Sequence, residues 1–208
     1  LRIRGSAVTA LAIRYIQDWD YAARENLFSR PEYLVYPEEA CGDTQIQIIS
    51  SGPDSSLQVI RDNYLRLIHK AKKRIFVQTP YFIPDESILT ALKMAVLSGV
   101  EVNLMIPCKP DHPFVYWATY SYMGELVMAG ANCYTYDNGF LHVKGVSIDG
   151  EACCFGTANM DIRSFSLNFE VNAMIYDEET AREMERIFRE DLKLCTRITK
   201  DMYQGRSL

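Results

Sequence analysis

The sequence predicts an α/β protein: a mixed β-sheet flanked by helices on both faces. Three observations carry that expectation. Apolar runs with strand and helix periodicity alternate from about residue 45 to residue 136; three strand-like runs then follow in quick succession around an Asp-Gly turn; and 48% of the 208 residues are hydrophobic and 12% aromatic, enough to bury one sizeable core.

Val8, Leu11, Ala12, Tyr15, Ile16 and Trp19 recur at helical spacing behind Ser6, a candidate N-cap, and predict a first helix. The region around Pro31 and Pro37 reads as a linker, which sets residues 1–40 apart from a domain over 41–208. "CGDTQIQIISSGPDSS" supplies a short alternating strand and a Gly-Pro-Asp turn, and Leu57, Ile60, Tyr64, Leu67, Ile68 and Ala71 mark a second helix. There follow a strand "RIFVQT", a loop "PYFIPD", a helix from about Glu86 to Ser98, a strand "VEVNLMI", a further loop and an aromatic-rich helix, "PFVYWATYSYMGELVMAG". After "NCYTY", the runs "LHVKGVSID", "EACCFGTAN" and "FEVNAMIY" read as strands, the first two joined at Asp149-Gly150 as a hairpin. A charged helix from Asp177 to about Cys195 closes the domain, and the tail through Leu208 is expected to fray.

The net charge of -5 argues against a broad polyanion-binding surface, so no nucleic-acid partner is expected. Six cysteines occur without a CxxC pair, and adjacent Cys153 and Cys154 on a strand point to opposite faces. That usage suggests reduced thiols in a cytoplasmic setting, with neither disulfides nor a zinc site. No run reaches the roughly 18 uncharged apolar residues of a spanning helix, and no signal peptide is visible. The chain is therefore read as a soluble piece of a longer protein that carries any membrane anchor elsewhere.

Chemistry concentrates in "HVKGVSID". On a strand, residues i and i+2 share a face, so His142 and Lys144 project together. A lysine beside an imidazole suits a phosphoryl centre, because the ammonium holds phosphoryl oxygens while the ring attacks phosphorus or exchanges a proton with a leaving alkoxide. Asp149 has the opposite parity and sits in the turn, where it is expected to organise backbone hydrogen bonds. In "GTAN", Gly156 permits close backbone approach and Asn159 offers an amide to a phosphoryl oxygen. Glu170, a lone acid in "NFEVNAMIY", is expected to bond one imidazole nitrogen, fix the tautomer and stabilise a positive ring, in preference to a structural ion pair with Arg163.

Other residues receive plainer readings. Asp161 and Arg163 in "NMDIRS" either contact substrate or pair structurally, the pair being the favoured reading; His112 is expected to cap the aromatic helix and His69 to lie exposed. Tyr81 and Phe82 fit a site loop or core packing equally well. Phe114, Trp117 and Ser121 face one way on the aromatic helix and Tyr116, Tyr120 and Met123 another; one side either touches lipid or packs against a partner half. "HKAKKR" reads as a solvated helix end that could also draw anionic headgroups.

"HVKGVSID" and "GTAN" resemble the HxKxxxxD and GxxN signature of the phospholipase D superfamily, and the stretch from about Asp43 to Cys195 is similar to the C-terminal half of bacterial cardiolipin synthases. The resemblance implies a phospholipase D-like half-fold, with residues 1–40 as the tail of a preceding half that carries the first HxKxxxxD motif. It implies a phosphatidyl transfer between two phosphatidylglycerol molecules through a phosphohistidine, with His142 as the proton donor, Glu170 as its acid and Lys144 and Asn159 on the phosphate, and no metal or cofactor. The implied partners are anionic phospholipid, the N-terminal half, the cytoplasmic membrane surface and, for the fragment alone, a second copy meeting it motif to motif. Two other readings stand beside it: a hydrolytic phospholipase or nuclease of the same superfamily, and a non-catalytic lipid-binding or assembly module.

Overall fold

A computed structural model describes residues 1–34, 36, 42–109 and 111–205. In chain order the elements are α1 (Ala7–Ala23), β1 (Gln45–Ser51), α2 (Val59–Lys70), β2 (Arg74–Gln78), β3 (Phe82–Ile83), α3 (Glu86–Leu97), β4 (Glu101–Pro107), α4 (Pro113–Ala129), β5 (Asn132–Tyr136), β6 (Gly145–Ile148), β7 (Ala152–Gly156), β8 (Met160–Asp161), α5 (Ile162–Ser166), β9 (Glu170–Tyr176), α6 (Glu178–Asp191), β10 (Cys195–Ile198) and α7 (Lys200–Gln204). Eight strands form one sheet in the order β1-β9-β7-β6-β2-β4-β5-β10, and β3 and β8 form a separate two-stranded ladder.

Chain connectivity explains the mixture. The β2–α3–β4 and β4–α4–β5 crossovers make β2, β4 and β5 parallel, whereas the hairpin-linked strands beside them run antiparallel. The β6–β7 turn has positive φ at both Asp149 (56°) and Gly150 (67°), the mirror-image turn whose twist matches flanking strands.

Strand parity sorts the core into two layers. Ile75, Val77, Val146 and Cys154 face a large cluster with Tyr64 and Leu67 of α2, Leu92 of α3 and Leu126 of α4. The intervening residues Phe76 and Met105 meet Phe188 of α6, and Cys153 and Ile175 meet Ala181 of α6, so the adjacent cysteines do point to opposite faces. Helices begin where short acceptors permit: Asp85, Asp161, Asp177 and Thr199 each take the backbone N–H three residues on. Pro113 occupies the first turn of α4, and Gly130 ends it at φ 109°.

Several expectations are corrected. Ser6 precedes α1 without a side-chain cap bond. The loop "PYFIPD" holds β3, paired with β8. α6 stops at Asp191, and Cys195 opens β10, which pairs with β5 before α7; the expected fraying therefore does not begin here, and residues 206–208 lie outside the described residues. Most important, the expected strand "LHVKGVSID" begins only at Gly145, leaving His142 and Lys144 on the segment that leads into β6. In the expected linker, Pro31 starts a short 3-10 turn, while Pro37 and Cys41 lie outside the described residues. α1 docks against the sheet domain: Arg14 lies 3.8 Å from Asp54 and over the Phe169 ring, which Tyr21 also meets.

Candidate active site

Strand directions decide where the polar motifs meet. β1, β7, β2, β4 and β5 end at one edge of the sheet, and β6 and β9 begin there, as their registers require: Ser51 pairs with Glu170, Gly145 with Gln78, and Pro107 with Tyr136. The lead-in carrying His142 and Lys144, the "GTAN" segment after β7 and Glu170 at the start of β9 therefore share this edge. Glu170 also has the parity of Asn172 and Met174, which face the α2 layer, and Lys144 has the parity of Val146, which faces the same layer.

Lys144 is only 8% exposed. Its Nζ donates to the His142 carbonyl at 2.7 Å, and the Gly156 N–H donates to the Lys144 carbonyl at 3.2 Å, so the lysine is tethered at both ends. Burial pulls its pKa below the ordinary lysine value, opposed by the nearby negative charges of Glu170 and Asp161. The result is a largely desolvated ammonium with donors to spare.

The Glu170 carboxylate is held at both oxygens: the Thr157 hydroxyl donates to Oε2 and Asn168 Nδ2 to Oε1 at 3.3 Å. Thr157 is itself positioned by the Val171 N–H, which donates to its hydroxyl at 2.9 Å. The expected Glu170–His142 hydrogen bond is absent among the described residues, and so is an ion pair of Glu170 with Arg163. The reason is local: Thr157 lies across the β7–β9 pairing and Asn168 two residues before Glu170, nearer than an imidazole displaced from the strand. The His142 ring is exposed and packs against Phe140 at 5.8 Å between centroids.

Gly156 is required by close packing. A Cβ there would stand 2.2 Å from Asn172 Oδ1 and 2.3 Å from the Val171 carbonyl. Beyond it, the Asn159 N–H donates to Ser164 Oγ at 3.2 Å, while the buried Asn159 Oδ1 has no partner. An unsatisfied buried amide oxygen is uncommon, and being an acceptor it can be completed only by a hydrogen-bond donor. Asp149 lies at the opposite edge, where its carboxylate accepts from the backbone N–H groups of Lys72, Lys73 and Arg74 at 2.8–2.9 Å.

The weaker candidates divide. Asp161 and Arg163 form no ion pair; Asp161 is buried and caps α5 by accepting from the Ser164 N–H at 2.7 Å, and Arg163 is exposed. His112 occupies the N-cap position of α4 without a side-chain cap bond. His69 is exposed and bonds the Leu65 carbonyl within α2. Phe82 is core, whereas Tyr81 faces the site edge, where its hydroxyl bonds Asp111. Thr157 and Asn168 escaped the sequence reading; the i, i+2 parity of Asn168 with Glu170 was the available signal. Among the described residues, no three His, Cys, Asp or Glu side chains are placed to hold a metal ion, and no helix is long and apolar enough to cross a membrane.

Known proteins resemble this chain in sequence and in fold. Residues 64–192 match the family described as "Cardiolipin synthase, PLD-like domain". A cardiolipin synthase of Oceanobacillus iheyensis is 49% identical over 208 residues, all of this chain and 43% of that protein; cardiolipin synthase 2 of Staphylococcus epidermidis is 51% identical over 210 residues, again with 43% of its length covered. This chain thus corresponds to well under half of those relatives. The solved structure of Nuc, a phospholipase D family member from Salmonella typhimurium, superposes with a TM-score of 0.65 at 19% identity, covering 76% of this chain and 99% of that one, a likeness of fold. With its half-fold, its site edge and 129 consecutive matched residues (64–192), the chain belongs to the family of cardiolipin synthase, PLD-like domains.

Proposed function

We propose that this chain supplies one half of a phosphatidyltransferase site that makes cardiolipin from two phosphatidylglycerol molecules. The observation that carries the reading is the buried, tethered Lys144 beside Glu170, at the same edge as His142. A phosphodiester brings anionic acceptor oxygens, the complement of an ammonium and an amide donor.

The reaction runs in two displacements. A histidine of the other half attacks phosphorus; the N–P bond forms as the P–O bond to glycerol breaks, and His142 gives its proton to the departing alkoxide. The terminal hydroxyl of a second phosphatidylglycerol then attacks, passing its proton back to His142; the new P–O bond forms as the N–P bond breaks. Lys144 and Asn159 hold the non-bridging oxygens throughout. Glu170, fixed by Thr157 and Asn168, places negative charge where Lys144 and a transiently protonated ring need it. His142 is exposed on a lead-in segment, and the N-terminal half, docking at this edge, would enclose its ring.

The same edge carries the α4 N-terminus, where Phe114 and Trp117 are 82% and 65% exposed and stack edge to face. Aromatic side chains of this kind suit the headgroup region of a bilayer, so the site edge is the face proposed to meet the cytoplasmic membrane surface.

The test is product analysis with the full-length enzyme on phosphatidylglycerol vesicles. Cardiolipin and free glycerol in equal amounts are expected, and both vanish in His142→Asn. Phosphatidic acid as the sole lipid product would instead favour the hydrolytic reading, and full transferase activity in His142→Asn would remove the histidine from the mechanism.

A further inference from the structure

We propose that Asp161 and Tyr81 form the acceptor side of this site, binding the spare hydroxyl of a polyol alcohol; the inference rests on the phosphatidyltransferase reading above. Asp161 is 7% exposed, and only one of its oxygens is used, by the Ser164 N–H. The other oxygen has no hydrogen bond among the described residues. That oxygen reaches the surface and is open to a hydroxyl donor. Lys144 feels the Asp161 charge but forms no ion pair with it within 4 Å, so Asp161 leaves the ammonium's donors to other partners.

The β3–β8 ladder brings Tyr81 to the same place. Ile83 pairs with Asp161, the Met160 N–H donates to Thr79 Oγ1 at 3.1 Å, and that hydroxyl donates to the Tyr81 carbonyl at 2.8 Å. The Tyr81 proton is committed to Asp111, which leaves its phenolic oxygen as an acceptor. Burial and the charges of Asp111 and Asp161 push the Tyr81 pKa up to about 12, so the phenol keeps that proton. This wall thus offers acceptors, whereas Lys144 offers a cation. A phosphodiester contributes only acceptors and is directed to Lys144; a polyol contributes donors and is directed to Asp161 and Tyr81. A glycerol headgroup has one hydroxyl to attack with and another to be held. A monohydric alcohol has none left for the wall.

The experiment uses the full-length enzyme with phosphatidylglycerol as donor and compares two acceptors, isotope-labelled glycerol and 1-propanol. Asp161→Asn retains a cap acceptor for Ser164 but removes the charge, and Tyr81→Phe removes the phenolic oxygen. In each variant the ratio of kcat/KM for glycerol to that for propanol is expected to fall about tenfold, as for loss of one hydrogen bond of ~1.4 kcal/mol. Equal losses for both alcohols, or no loss for either, overturn the proposal. If Asp161→Asn does not fold, Tyr81→Phe decides by the same criterion. A wild-type enzyme that transfers to neither alcohol overturns the phosphatidyltransferase reading itself, and this inference with it.

Discussion

Asp149 accepts hydrogen bonds from three consecutive backbone N–H groups while sitting at φ 56°, a conformation that Asp and Asn tolerate better than other non-glycine residues. Despite partial burial, those donors hold its carboxyl below the ordinary 3.8. A depressed folded-state pKa contributes stability that is complete above the unfolded value and lost as pH falls through the folded one. Unfolding free energy measured from pH 6 to pH 2 should therefore fall more steeply below about pH 4 for the wild type than for Asp149→Asn. At neutral pH, Asp149→Ala should cost about 1–3 kcal/mol by chemical denaturation, since three N–H groups lose their acceptor. Lys144 belongs to the same scale. Lys144→Met keeps the buried stem and removes the charge, so the fold should persist by circular dichroism while phosphatidyl transfer falls by roughly a hundredfold or more. Retention of activity in that variant would mean the phosphate is held elsewhere.

At the scale of elements, the β7–β9 pairing aligns the site. Gly156 opposes Asn172 so closely that any Cβ meets backbone and amide atoms rather than a movable chain end. Gly156→Ala should destabilise by about 3 kcal/mol or more and loosen Thr157, and with it Glu170; denaturation in urea measures the first and transferase activity of the surviving fold the second. An unchanged midpoint would show that β9 can retreat. α4 illustrates a helix whose two sides differ in duty. Thr119 takes the Phe82 N–H at 3.2 Å and Met123 is core, while Phe114 and Trp117 remain exposed.

For the whole molecule, the sheet separates two ends of opposite character. The site, the "GTAN" segment and the exposed α4 aromatics lie at one edge; Lys70, Lys72 and Lys73 lie exposed at the other, beside Asp149. A bilayer at the site edge leaves that basic run facing away. Trp117→Ala in the full-length enzyme should reduce turnover of vesicle-borne phosphatidylglycerol several-fold and spare detergent-dispersed substrate, whereas Lys72→Glu with Lys73→Glu should leave both unchanged. The reverse pattern would place the membrane at the basic end.

Local rules acting on the sequence determined most of the elements, the split of Cys153 and Cys154 between layers, the Asp149-Gly150 turn and the residue types of the site, because periodicity and turn chemistry depend on near neighbours. Tertiary structure decided the rest. It started β6 only at Gly145 and so left His142 exposed; it gave Glu170 to Thr157 and Asn168 rather than to the imidazole; and it gave Asp161 to the Ser164 N–H instead of Arg163. Those outcomes depend on which strands lie side by side and in what register. A carboxylate bonds the nearest donors that folding provides, and spacing along the chain does not specify which those are.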